Sequence, residues 1–171
     1  MEVRVADEAG NRMPQGETGE IAARGPNIML GYWKDEAATA AVLRDGWYFT
    51  GDLGREDEEG FLFVTGRARD IIKAGGNRVG AQEIEEVLLE MEGVLEAAII
   101  GVPDAILGEA IKAFVAPKDG VALDAEAVKA HVNVRLPLFK QPKWIEIREA
   151  LPKNEAGKIL KNILREQGIS G

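Results

Sequence analysis

Three stretches of the chain combine residue types that can do chemistry. The first is Trp47-Tyr48-Phe49-Thr50-Gly51-Asp52-Leu53-Gly54. An aspartate between glycines directly after an aromatic run is expected on a tight turn, with its carboxylate projecting freely. Its two oxygens match the two hydroxyls of a ribose cis-diol, each hydroxyl donating one bond. The same arrangement also suits a purely structural turn in which the aspartate holds its own backbone.

The second stretch runs from Gly66-Arg67-Ala68-Arg69-Asp70 through Lys73-Ala74-Gly75-Gly76-Asn77-Arg78 to Gln82-Glu83-Ile84-Glu85. Four basic residues beside paired glycines and a helix start suit phosphate or another anion, and the glycines let a ligand approach the backbone. A glycine turn with solvated charges is the plainer alternative. It is not a phosphate-cradling P-loop, because the lysine precedes the glycines and no Gly-Lys-Ser/Thr follows. The third stretch is Leu151-Pro152-Lys153-Asn154-Glu155-Ala156-Gly157-Lys158. A mobile loop can carry the Lys158 ammonium into a closed site and stabilise charge at a reacting phosphate; alone, it reads more simply as a surface lysine. His131 is the single histidine and cysteine is absent, so no metal site is expected. Trp33, Trp47 and Trp144 are expected in core or turn packing.

The chain that must position these groups has 171 residues, 46% of them hydrophobic and 29% charged, enough for one ordinary domain or two small ones. A net charge of −8 argues against nucleic-acid binding, which needs a basic face. The longest apolar runs, such as Ala97-Ala98-Ile99-Ile100, are strand-sized, so no membrane span is expected. Met1 leads into Glu2-Val3-Arg4-Val5 with no apolar secretory core, and the lack of cysteine fits the cytoplasm.

The first 64 residues read as strands and turns, and the fold class as α+β. Strands are expected at Val3–Val5, Gly19–Arg24, Trp47–Phe49 and Phe61–Val64, and a short helix at Lys34–Arg44. The pattern changes near Thr65–Asp70. Ile84, Val87, Leu88 and Met91 fall at i, i+3, i+4 and i+7, predicting an amphipathic helix over Ala81–Met91. Val94–Val102 and Ala110–Ala116 read as buried strands. Asp124 can cap a helix reaching about Leu136, with Ala127, Val128, His131 and Val132 on one face. Trp144–Arg148 reads as a short strand and Lys158–Gln167 as a closing helix.

Taken in order, the segments Gly16-Glu17-Thr18-Gly19-Glu20-Ile21, Gly25-Pro26-Asn27-Ile28-Met29-Leu30-Gly31-Tyr32, Asp45-Gly46-Trp47-Tyr48-Phe49-Thr50-Gly51-Asp52, Gly66-Arg67, Phe139-Lys140-Gln141-Pro142 and Leu151–Lys158 are highly specific. The chain resembles the carboxyl-terminal portion of the adenylate-forming superfamily, of the acyl-CoA synthetase or fatty-acid–CoA ligase type. The resemblance covers essentially the whole chain. It implies a β-rich remnant of a large adenylating domain over 1–65, a hinge at 66–70, and a compact α+β lid domain over 71–171. It also implies a two-step reaction using ATP, CoA and Mg2+. A carboxylic acid attacks the α-phosphate to give acyl-adenylate and pyrophosphate, and a thiol then displaces AMP.

By matching motif positions, the resemblance implies that Asp52 binds the ribose hydroxyls and Arg67 contacts the nucleotide. Lys158 would reach the acid and α-phosphate during adenylation only. Arg69 stands at the hinge position. Gly75 and Gly76 would line the pantetheine channel in the second step, and Arg78 would contact phosphate. The family's phosphate loop and large domain are missing, so Mg2+ is not expected on these residues. Met1 reads as a truncated or artificial start, and the chain alone is expected to be inactive. Two other readings stay open: an adenylation domain loading a carrier protein, and a non-catalytic nucleotide-binding or interaction module.

Overall fold

Alternation of Val3 and Val5 with charged neighbours gives β1 (Glu2–Ala6), which turns at Asp7 and pairs antiparallel with β2 (Gly19–Arg24). The computed structural model describes residues 1–168, and its contacts separate two units, Met1–Arg69 and Asp70 onward. In the first unit Asp35 caps α1 (Glu36–Val42) by accepting from the Ala38 N–H at 2.8 Å. This helix is shorter than the expected Lys34–Arg44. Lys34 has φ +53, and Leu43 is extended and opens β3 (Leu43–Arg44).

The expected stop after Phe49 does not occur, because β4 runs from Trp47 to Glu56. One edge of β4 pairs with β2; the other pairs first with β3 and then with β5 (Leu62–Arg67). Asp52 therefore sits within a strand, not on a turn. Gly51 at φ +74 and a register shift between Leu53 and Gly54 supply the kink that the glycines suggested. A small core of Ala6, Ala22, Trp47 and Phe49 holds this sheet. The Arg4 guanidinium lies 3.7 Å from the Trp47 ring. Trp47 is the tryptophan that is buried; Trp33 is 87% exposed and Trp144 40%, against the expectation for both.

The second unit begins with the hairpin β6 (Ile71–Ala74) and β7 (Asn77–Gly80). Gly75 and Gly76 form its two-residue turn at φ +57 and +82, which side chains with a Cβ adopt only under strain. Then come α2 (Ala81–Leu89), β8 (Val94–Asp104), β9 (Gly108–Pro117), α3 (Ala125–Arg135), β10 (Trp144–Ile147) and α4 (Lys161–Gly168). β8 and β9 pair along nearly their whole lengths, and β9 also carries β6 at Gly108 and β10, in parallel, over Lys112–Val115.

Both faces of β8 and β9 are buried, so alternation along them sorts residues between two cores. Ile99, Ile111 and Val115 meet Ile84 and Leu88 of α2 and Val128 and Val132 of α3. Ile100, Val102 and Phe114 meet Leu151 and Leu164 of α4. Asp124 caps α3 as expected, its side chain accepting from the Ala127 N–H, but Ala127 itself is exposed and outside the buried stripe. The His131 ring bonds the Val87 carbonyl at 2.9 Å and joins α3 to α2. The last helix begins at Lys161, three residues later than expected. Lys158 to Leu160 instead return along Pro152 and Lys153 in an isolated bridge. Among the described residues no helix is long and apolar enough to cross a membrane.

Ile84 is fully buried between α2 and the sheet. Ile84→Ala should lower unfolding free energy by about 2–5 kcal/mol in a urea melt, the usual cost of a core cavity, whereas Ala127→Ser on the exposed face should stay within about 0.5 kcal/mol.

Candidate functional site

The register of β4 against β5 places Asp52 directly opposite Arg67. Arg67 Nε meets Asp52 Oδ1 at 2.7 Å, with the two side chains 47% and 34% exposed. A pair this wet contributes about 0–1 kcal/mol to stability, so stability alone is a weak reason for it.

Tyr48 of the aromatic strand and Tyr32, which ends the Gly25–Tyr32 motif, were given no role from sequence, yet both belong to the same neighbourhood. Burial, followed by Tyr32 and then the Asp52 carboxylate, pushes the Tyr48 phenol above its ordinary range, with Arg67 opposing. Tyr48 precedes and Asp52 follows the Gly51 kink of β4, close enough for the Asp52 charge to act on the phenol. That proximity becomes readable only once the strand is known to continue past Gly51. The Thr50 hydroxyl donates to the Ile21 carbonyl at 2.8 Å and accepts from the Asp52 N–H at 3.1 Å, fixing the strand where it kinks.

The remaining candidates, apart from Arg69 at the last position of the first unit, lie in the second. Gly75 and Gly76 project as the β6–β7 turn, and the Gly75 N–H donates to the Leu107 carbonyl at 3.0 Å. Leu107 lies in the β8–β9 turn, which Asp104 organises by accepting from the N–H groups of Ile106 and Leu107, both at 3.0 Å. Lys143 pairs with the same carboxylate, and these bonds hold it down to a pKa of about 2. Glu109 accepts from the Lys73 N–H at 2.7 Å, tying β6 to β9. Arg78 stands opposite Lys73 across the hairpin.

Lys158 lies on a loop closed by its own backbone. The Asn154 N–H donates to the Lys158 carbonyl at 3.0 Å, Gly157 N–H to the Asn154 carbonyl at 2.9 Å, and Lys158 N–H to Asn154 Oδ1 at 2.9 Å. The loop base is fixed to β8, where Glu96 accepts from the Leu151 N–H at 3.2 Å and pairs with Lys153. Lys158 thus stands on a folded tip bonded to its own backbone. The Lys158 side chain is exposed, with no carboxylate partner among the described residues.

Glu96 and Asp104 mark opposite ends of β8. Asp104 lies eight residue steps along the strand from Glu96, roughly 26 Å at ~3.3 Å per residue. The glycine turn and the Lys158 loop are thus held at far ends of one rigid hairpin. Among the described residues no cluster of three or more His, Cys, Asp or Glu side chains is arranged to hold a metal ion.

Residues 83–158 match the family described as AMP-binding enzyme C-terminal domain. The chain is 47% identical over 162 residues to a long-chain-fatty-acid–CoA ligase of Bacillus subtilis strain 168, covering 95% of this chain and 29% of that protein. It is 43% identical over 166 residues to a feruloyl-CoA synthase of an Amycolatopsis species, covering 97% of this chain and 34% of that protein. The ATP-bound crystal structure of MatB from Rhodopseudomonas palustris superposes with a TM-score of 0.90 at 39% identity, covering 99% of this chain and 34% of that one. The chain thus spans about a third of the length of these relatives.

Because the folded state depresses the Asp104 pKa, the stability it contributes is present above its ordinary value of 3.8 and is lost as pH falls towards about 2. Thermal midpoints measured across that window should fall more steeply for the unmodified protein than for Asp104→Asn. Parallel curves would show that the carboxylate is not held as described.

Proposed function

We propose that the chain, whose residues 83–158 match the AMP-binding enzyme C-terminal domain family, works as the C-terminal portion of an ATP-dependent acid–CoA ligase of the adenylate-forming type. The observation that carries this reading is the spacing of the two loops. A single small domain that serves two successive reactions needs two presentable surfaces, and β8–β9 holds the Lys158 tip and the Gly75-Gly76 turn at opposite ends.

In the first step an acid oxygen attacks the ATP α-phosphorus and pyrophosphate leaves. Asp52 accepts hydrogen bonds from the ribose hydroxyls, Arg67 orients Asp52 and contacts the nucleotide, and the Lys158 ammonium offsets charge on the acid and the α-phosphate. In the second step the CoA sulfur attacks the acyl carbon and AMP leaves. The unit beyond Arg69 turns about that residue, so that Gly75 and Gly76, lacking side chains, give the pantetheine arm room against the backbone. Arg78, at the base of the same turn, is placed for a phosphate of the acceptor. Magnesium would accompany the ATP phosphates on groups outside this chain. The substrate is an organic acid, with a fatty acid favoured by the naming of the relatives, and the compartment we assign is the cytoplasm.

A further observation supports a larger parent protein. Phe61, Phe63 and Val64 are 62%, 49% and 65% exposed on or beside β5, an apolar edge of the kind that a neighbouring layer normally covers.

In the full-length enzyme, Lys158→Ala should lower acid-dependent ATP–pyrophosphate exchange by about 10²-fold or more, the scale of losing one preorganised charge donor. Thioester formation from supplied acyl-adenylate should stay nearly unchanged, and equal loss of both steps would reject the role. Arg69→Pro, which locks φ at the pivot, should slow overall turnover more than either half-reaction measured alone. Full turnover in that variant would remove Arg69 from the mechanism.

A further inference from the structure

Asp70, the first residue after the pivot, and Lys161, three residues beyond Lys158, meet in one cluster of charged side chains. Lys161 Nζ lies 2.7 Å from Glu85 Oε1 and 3.5 Å from Asp70 Oδ2. Arg165, one helical turn further along α4, reaches Asp70 Oδ1 at 2.8 Å. Glu85 also accepts from the Ile99 N–H at 2.7 Å, so the cluster joins α2, α4 and β8 to the residue that leaves the pivot. Asp70, Glu85 and Lys161 side chains are only 17%, 17% and 19% exposed.

Such protected ion pairs add little net stability over an apolar replacement, but they are directional, and breaking one leaves a buried charge without its counterion. Burial is the leading influence on Glu85 and pushes its carboxyl up, against the pull of Lys161. The cluster is therefore dry enough for geometry, rather than water, to govern its contacts. The route from Lys161 back to Lys158 is equally short. The Leu160 N–H donates to the Pro152 carbonyl at 2.8 Å, Ile159 bridges Lys153, and the Lys158 carbonyl accepts from Asn154.

We propose that Asp70 and Lys161, through this cluster, are positioning residues that make the Lys158 tip turn as one body with the chain leaving Arg69. The proposal rests on the reading of Lys158 and Arg69 given above. A rotation at residue 69 first re-aims Asp70. Asp70 then passes the orientation to the start of α4 through Lys161 and to its next turn through Arg165, and Lys158 lies directly before that start. Without the cluster, the start of α4 would lose its charged tie to Asp70, and the lysine tip would rest on Glu96, Lys153 and the packing of Leu151, Ile159 and Leu164. The Gly75-Gly76 turn does not need the cluster, because it hangs on the β6–β7 ladder, Glu109 and the Leu107 carbonyl. The two half-reactions should therefore feel its loss unequally.

The test uses the full-length enzyme with Lys161→Met, Lys161→Arg and Lys158→Ala, each assayed for acid-dependent ATP–pyrophosphate exchange and for thioester formation from supplied acyl-adenylate. Lys161→Met should lose about ten- to a hundredfold in exchange, the scale of a misplaced catalytic group, with thioester formation changed by less than about twofold. Lys161→Arg, which keeps the charge, should recover most of the exchange. Equal loss of both steps in Lys161→Met would make the cluster a mere fold element and overturn the proposal. Exchange kept in Lys161→Met but lost in Lys158→Ala would overturn the positioning role alone. Exchange kept in Lys158→Ala would sink the reading of Lys158 itself, and the positioning role with it.

Discussion

The constraint from which the second unit follows is the long antiparallel pairing of β8 with β9. Its register runs from Val94 opposite Pro117 to Asp104 opposite Gly108, and both faces are closed by helices. A strand buried on two sides cannot slide by one residue, because every inward side chain would change core. Ile99 would leave α2 and α3 for the side of α4, and Ile100 the reverse. The hairpin therefore behaves as a ruler, and whatever is fixed to its ends keeps its separation. Glu96 fixes the lysine loop at one end and the Leu107 carbonyl fixes the glycine turn at the other. If both loops serve one reaction centre, they serve it in turn, and the movement belongs to the whole unit rather than to either loop.

Much of this architecture was legible from local pattern. The helix carrying Ile84 and Leu88 followed from 3.6-residue periodicity, the α3 start from Asp124, and the end of β2 from Gly25-Pro26. These signals act within a few residues, so neighbours suffice to read them. Where expectation and structure part, a partner distant in sequence had overruled the local signal. Gly51 suggested a stop, yet β2 and β5 pair with the segment beyond it and carry the strand on to Glu56. Lys158 looked like a helix start, yet the Pro152 carbonyl captures the Leu160 N–H and delays the helix to Lys161.

Aromatic residues show the same limit. Trp47 alternates into the sheet core and is buried, while Trp144, on a strand of the same apparent kind, lies on the edge strand β10 and stays 40% exposed. Strand pattern gives a side chain its face but does not say whether another layer covers that face. The charged residues were less legible still. Asp52 and Arg67 were each singled out as candidates, but their contact depends on a register that passes through an irregularity. Asp70 and Lys161 are 91 positions apart, and nothing in either local sequence names the other.

Burial separates the two charge systems and fits each to the different task proposed for it. The Asp52–Arg67 pair is wet on both sides, so water can replace either partner at small cost and a ligand hydroxyl can do the same. Ligand exchange needs that low cost. The Asp70–Lys161–Glu85 cluster is largely shielded, so no solvent stands ready to take over a broken contact, and its members hold one arrangement. A part that must pass on a rotation needs that rigidity. Exchanging the two environments would impair both tasks. Under the proposed roles, a dry Asp52 would make each release of nucleotide costly, and a wet Asp70 would let the chain beyond residue 69 turn without taking α4 along.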